Sequence, residues 1–162
     1  MTASTSQMTS LFDIIAWVES KNNPHAMRFE PATFDRIRAT MLNDGIVRRI
    51  AYLNACSFGT AAMIYSTSWG ATQIMGFNLY ADNLTTAHHM TVVDFMNDSV
   101  VQAAVFSDFC AKNGMAATVQ DLAQFPVLRL HFAKLYNGPG APEAYAAQIV
   151  YALQHFGIEV TQ

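Results

Sequence analysis

DSVVQAAVFSDFCAKNG, residues Asp98 to Gly114, sets the fold class. Val101, Val105 and Phe109 recur every fourth residue, which aligns them along one side of an α-helix. Gly114 ends the run. The same period appears on both sides of it. Upstream, Ser10 precedes Leu11, Ile14, Ile15 and Val18, with Asp13 placed to complete a capping box. That helix ends near Ser20, because Asn22, Asn23 and Pro24 favour turns. Pro31 starts a second helix with Phe34, Ile37 and Met41 on one face, stopped at Asp44-Gly45. Ile46, Val47, Ile50 and Leu53 mark a third. Thr91 with Asp94, and Thr118 with Asp121, are further start signals. Pro126 breaks the chain before a helix over Val127 to Tyr136. The last helix runs from Pro142 to Phe156, turns Tyr145, Ile149, Ala152, Leu153 and Phe156 inward, and stops at Gly157.

No run alternates over enough residues to be a half-buried strand. The expectation is an all-α or nearly all-α domain, with one small hairpin before Trp69 and a short helix after it. No repeat or low-complexity linker divides the chain, so residues 1–162 read as a single domain.

Composition narrows the function. Hydrophobic residues make up 52% and charged residues 13%, which excludes a disordered chain. Mean hydropathy is +0.17, yet no stretch reaches the roughly 20 apolar residues that span a bilayer, so no membrane insertion is expected. Met1 to Ser10 carries no positive side chain, unlike a secretory signal. The protein is therefore expected to stay in a cytoplasm until something else releases it. A net charge of −3 leaves no basic stripe for phosphates and argues against nucleic acid as a partner. Cys56 and Cys110 read as buried free thiols or one disulfide. Neighbours such as His88-His89 point apart, and no Cys/His spacing fits a metal site. No metal and no cofactor is expected.

The chain has four Glu residues. Glu159 lies near the C-terminus, and Glu143 suits the first turn of the last helix. Glu19 sits at the C-terminal end of an apolar helix, beside Trp17 and Val18. The negative end of the helix dipole and burial against aromatic rings would both raise its pKa, as a general acid requires. A solvated helix-end carboxylate is the alternative. Two further segments bear on the choice. Ser66 to Asn78 contains Ser68-Trp69-Gly70-Ala71-Thr72-Gln73, where small residues allow close approach and Gln73 offers a donor and an acceptor. It also reads as a helix start with a core Trp. Leu135-Tyr136-Asn137-Gly138-Pro139-Gly140 puts two polar tips beside a tight turn, or is simply a helix stop.

Taken in order, Glu19-Ser20, Gly70-Ala71-Thr72-Gln73 and Leu135-Tyr136-Asn137 resemble the lysozyme superfamily that includes goose-type lysozymes and soluble lytic transglycosylases. The pattern is more similar to the N-acetylmuramidase family of phage endolysins. That likeness rests on Phe29-Glu30 with Phe34, the Ser-Trp-Gly-x-x-Gln-x-Met-Gly run from Ser68 to Gly76, Gln102 with Phe106 and Phe109, and the Tyr-Asn-Gly-Pro run from Tyr136 to Pro139. It spans Leu11 to Leu153. The chain departs from the family pattern at Ala71-Thr72, at Ser99 and in the short segment from Ser20 to Phe29.

The resemblance implies a lysozyme-like catalytic domain without a separate wall-binding module, acting as a monomer on peptidoglycan glycan strands. It implies Glu19 as the acid that protonates the bond between N-acetylmuramic acid and N-acetylglucosamine. Ser68, Gly70 and Gln73 would hold the flanking sugar, and Tyr136 and Asn137 the reacting sugar or Glu19 itself. Glu30 would be a second carboxylate or a salt-bridge partner of Arg28 or Arg36. Carboxylates roughly 6.5–9.5 Å apart imply inversion, and roughly 5–5.5 Å a covalent nucleophile. A single acid fits a held water, or attack by the substrate's own C6 hydroxyl as in lytic transglycosylases. A non-catalytic wall-binding or virion protein of the same fold is the third alternative. The implied setting is an endolysin held in the host cytoplasm until a holin opens the way to the wall; a wall-degrading effector or a particle-borne lysozyme would carry the same motifs.

Overall fold

A computed structural model describes residues 9–87 and 89–161, apart from the side chain of Thr85. His88 and the start of the Met1–Ser10 segment lie outside the described residues. Ten α-helices and a three-stranded sheet are present among those described. In chain order they are α1 (Leu11–Ser20), β1 (Met27–Phe29), α2 (Pro31–Arg38), α3 (Gly45–Leu53), α4 (Phe58–Tyr65), β2 (Thr67–Trp69) and β3 (Ile74–Met75). There follow α5 (Gly76–Leu79), α6 (Val92–Asn97), α7 (Ser99–Lys112), α8 (Val119–Gln124), α9 (Pro126–Asn137) and α10 (Pro142–His155). The fold is mostly α, as the helical period implies.

Local chemistry explains the boundaries. Ser10, Thr91 and Thr118 each form a complete capping box with Asp13, Asp94 and Asp121. Asp44 caps α3 through the Ile46 and Val47 amides, so it starts that helix; α2 has already ended at Arg38. At the far end of α10, Gly157 has a φ of 73°, its amide bonds the Gln154 carbonyl, and the Ile158 amide bonds the Leu153 carbonyl. This pair of bonds satisfies carbonyls that the helix would leave open.

The core forms where the apolar faces meet. Ile14 and Ile15 of α1, Val105 and Phe106 of α7, Phe132 of α9, and Ile149 and Leu153 of α10 are buried together. Each buried side chain of this size contributes about 1.5–3 kcal/mol. α9 packs on α10, and α1 lies against both α10 and α7. Arg129 is buried too, and its guanidinium donates to the carbonyls of Leu122, Ala123 and Thr161. It thereby ties the end of α8 to the C-terminal segment.

The sheet departs from the hairpin expected before Trp69. The strands run antiparallel in the order β1-β2-β3. Trp69 lies within β2 and pairs with Met27 on one side and Ile74 on the other. The helix expected directly after Gly70 starts only at Gly76. The reason is the turn between β2 and β3: Gly70 and Gln73 have φ of 76° and 53°, which ends β2 and reverses the chain.

Candidate active site

Glu19 is the penultimate residue of α1. Lys21 and Asn22 follow in the left-handed conformation, with φ of 56° and 63°, and their amides close the helix on the Trp17 and Ala16 carbonyls. The carboxylate is thus held at the negative end of a helix whose buried face anchors it to the core. Tyr145 of α10 donates its hydroxyl to Glu19 Oε1 at 2.5 Å. Burial raises the Glu19 pKa above its ordinary 4.5, while the Tyr145 hydrogen bond and the positive charge of Arg28 pull it down. The balance is a carboxyl kept protonated further toward neutral pH.

A second aromatic layer supports the first. Tyr136, on the last turn of α9, stacks on Tyr145 at 6.0 Å and on Phe132 at 5.6 Å. Phe106 and Phe109 of α7 close in on it from the side. Its hydroxyl donates to the Thr72 carbonyl at 2.6 Å. Burial and the neighbouring Glu19 push both phenols well above 10, so each stays a donor. Tyr145 fixes the carboxyl, and Tyr136 fixes the hairpin turn beside it.

That turn carries Ser68, Gly70 and Gln73. Ser68 Oγ donates to Gln73 Oε1 at 2.8 Å, and Gln73 Nε2 donates to the Gly70 carbonyl at 2.9 Å. The Gln73 amide is therefore engaged inside the turn, leaving one N–H of its two. A side chain at Gly70 would place its Cβ 2.7 Å from Gln102 Oε1 and 2.9 Å from Phe95, so only glycine fits. Gln102, wholly buried on α7, accepts from the Ala71 amide at 2.8 Å. Its Nε2 reaches the carbonyls of Pro24, Phe95 and Met96. Ser20 completes the connection, donating to the Ala71 carbonyl at 2.7 Å. The residue after Glu19 is thus bonded directly to the hairpin.

Two residues named from sequence stand apart from this network. Asn137 ends α9, is exposed, and makes no side-chain hydrogen bond among the described residues. Glu30 sits between β1 and α2 and pairs with Arg28 Nε at 2.7 Å. Tyr145 was expected only to face inward, yet it makes the closest polar contact with Glu19. The available signal was that a buried tyrosine hydroxyl needs a partner. Cys56 and Cys110 are both free, and burial pushes the Cys110 thiol up to about 12.

Comparison with known proteins points the same way as this geometry. Residues 14–157 match the Muramidase family, described as N-acetylmuramidase. The chain is similar to the endolysin of Enterobacteria phage PRD1, with 43% identity over 152 residues, which is 93% of this chain and 98% of that protein. No solved structure matches the chain.

Proposed function

The chain belongs to the N-acetylmuramidase family, whose members degrade peptidoglycan, and from this premise we propose that it is a hydrolytic muramidase with Glu19 as the general acid. The observation that carries the proposal is the half-buried Glu19 carboxyl, held by Tyr145 and raised in pKa by burial. Glu19 gives its proton to the oxygen linking N-acetylmuramic acid to N-acetylglucosamine. The bond from that oxygen to C1 of the muramic acid breaks, and water adds to C1, giving up a proton to solvent, from which Glu19 is reprotonated. The products are a reducing muramic-acid end and a free C4 hydroxyl on the glucosamine.

The remaining residues take supporting roles in this reading. Ser68, Gly70 and Gln73 shape the wall of the site through the hairpin turn, with the free Gln73 N–H offered to substrate. Tyr136 holds that turn in place, and Asn137 reaches the reacting sugar from the end of α9. Tyr145 is a positioning residue, because it acts through Glu19. Glu30 is engaged by Arg28, which supports a structural role for it. The enzyme works as a monomer and needs no cofactor.

The similarity to a phage endolysin supports a setting in which the protein waits in the host cytoplasm and reaches the wall once the membrane is opened. Among the described residues, no helix is long and apolar enough to cross a membrane.

Mass spectrometry of fragments released from purified peptidoglycan tests the reaction. Reducing muramic-acid ends are expected. Anhydro ends would replace hydrolysis by internal attack of the C6 hydroxyl. Free peptides would overturn the glycosidase reading altogether.

A further inference from the structure

Arg28 has capacity that the proposed reaction does not use. It lies on β1, one of the two edge strands, with its Cα opposite Ser68, so both side chains project from one face of the sheet. Met27 and Phe29 project from the other. The Arg28 side chain is 64% exposed. Its positive charge favours the ionised form of Glu19. Glu30 takes only its Nε, and no described group bonds the two terminal nitrogens. A guanidinium held by Nε keeps a parallel pair of N–H groups, the geometry that grips a carboxylate bidentately.

We propose that Arg28 binds a carboxylate of the substrate beside the cut, and that Glu30 orients its fork while weakening its charge. The inference rests on the muramidase reading. Such a carboxylate has two sources on the muramic-acid side of the strand. With the stem peptide attached, the carboxylates lie on that peptide. With the peptide removed, the lactyl group itself is ionised. Both present the same chemistry to Arg28.

Kinetics on three substrates separate the sources: peptide-bearing strands, strands stripped by an amidase, and stripped strands whose lactyl carboxylate has been converted to a methylamide. Compared on the acidic side of the alkaline limb, where the Glu19 pKa does not limit the rate, Arg28→Ala raises KM about tenfold on a carboxylate-bearing strand with little change in kcat, since it removes binding common to ground and transition state. The neutral strand gives wild type and variant equal KM. Arg28→Lys, which keeps the charge and loses the fork, recovers only part. Glu30→Gln lowers KM, because it lifts the opposing charge and leaves an acceptor for Nε. A purely structural ion pair would instead make both Arg28→Ala and Glu30→Gln worse.

A rise in KM confined to stripped strands assigns the lactyl carboxylate, and a rise confined to peptide-bearing strands assigns the stem peptide. Equal KM on all substrates, or an equal loss on the neutral strand, overturns the role of Arg28 while wild-type cleavage leaves the muramidase reading standing. Wild-type protein that cleaves none of the strands overturns both.

Discussion

Glu19 and Tyr145 form the smallest unit that carries the proposed chemistry. The hydroxyl of Tyr145 stabilises the ionised carboxylate, so it lowers the Glu19 pKa against the larger effect of burial. Tyr145→Phe therefore shifts the alkaline limb of the pH–rate profile upward. It also lowers kcat about tenfold, the scale of one hydrogen bond to a charged group. A profile with an unmoved limb would show that Glu19 is not the titrating acid. The raised pKa has a thermodynamic counterpart. A carboxyl whose folded pKa exceeds its unfolded value favours the fold while protonated, below the ordinary 4.5, and that contribution is lost as pH rises through the folded pKa. Above that pH the unfolded chain ionises Glu19 more readily than the fold does, so the carboxyl disfavours the fold. Glu19→Gln raises the melting temperature at neutral pH, and the difference closes below the ordinary carboxylate pKa.

At the scale of elements, the hairpin turn is where distant parts of the chain are made to agree. Ser20 of α1, Gln102 of α7 and Tyr136 of α9 all bond its backbone. Gly70→Ala would force a side chain into Gln102 and Phe95 in a left-handed conformation. The expected loss is about 2–6 kcal/mol, the sum of backbone strain and overpacking. Chemical denaturation measures it directly, and a loss below about 1 kcal/mol would mean the turn relaxes freely. The same turn marks the limit of what the sequence discloses. Helices were legible because Ser10, Thr118, Pro126 and Gly157 encode their ends in neighbouring residues. The sheet was not, since strands of three and two residues are too short to show alternation. Contacts from outside the sheet surround them: Gln102 accepts from the Ala71 amide in the turn, and Trp69 donates its indole N–H to the Ile64 carbonyl at 3.0 Å. Tyr145 was hidden for a related reason. It lies 126 positions from Glu19, and periodicity reports which face is buried but not what its hydroxyl meets.

Over the whole molecule, the helical core serves to hold one carboxyl at the end of α1 against a hairpin assembled from the middle of the chain. α10 contributes to both tasks: Ile149, Ala152 and Leu153 fill the core, and Tyr145 on the same helix touches Glu19. Glu19 and its surroundings are thus coupled to the stability of the domain. A net charge of −3 gives no general attraction to an anionic wall, so recognition must come from local contacts. The proposed reaction stands or falls with Glu19 as the group that drives cleavage. The direct test is release of reducing ends from purified peptidoglycan by wild-type protein and Glu19→Gln, compared at the pH optimum. The account predicts that the variant folds, still binds peptidoglycan, and loses activity by about 10²–10⁴-fold, the scale of general-acid catalysis. A variant that releases the same ends at the wild-type rate would contradict it.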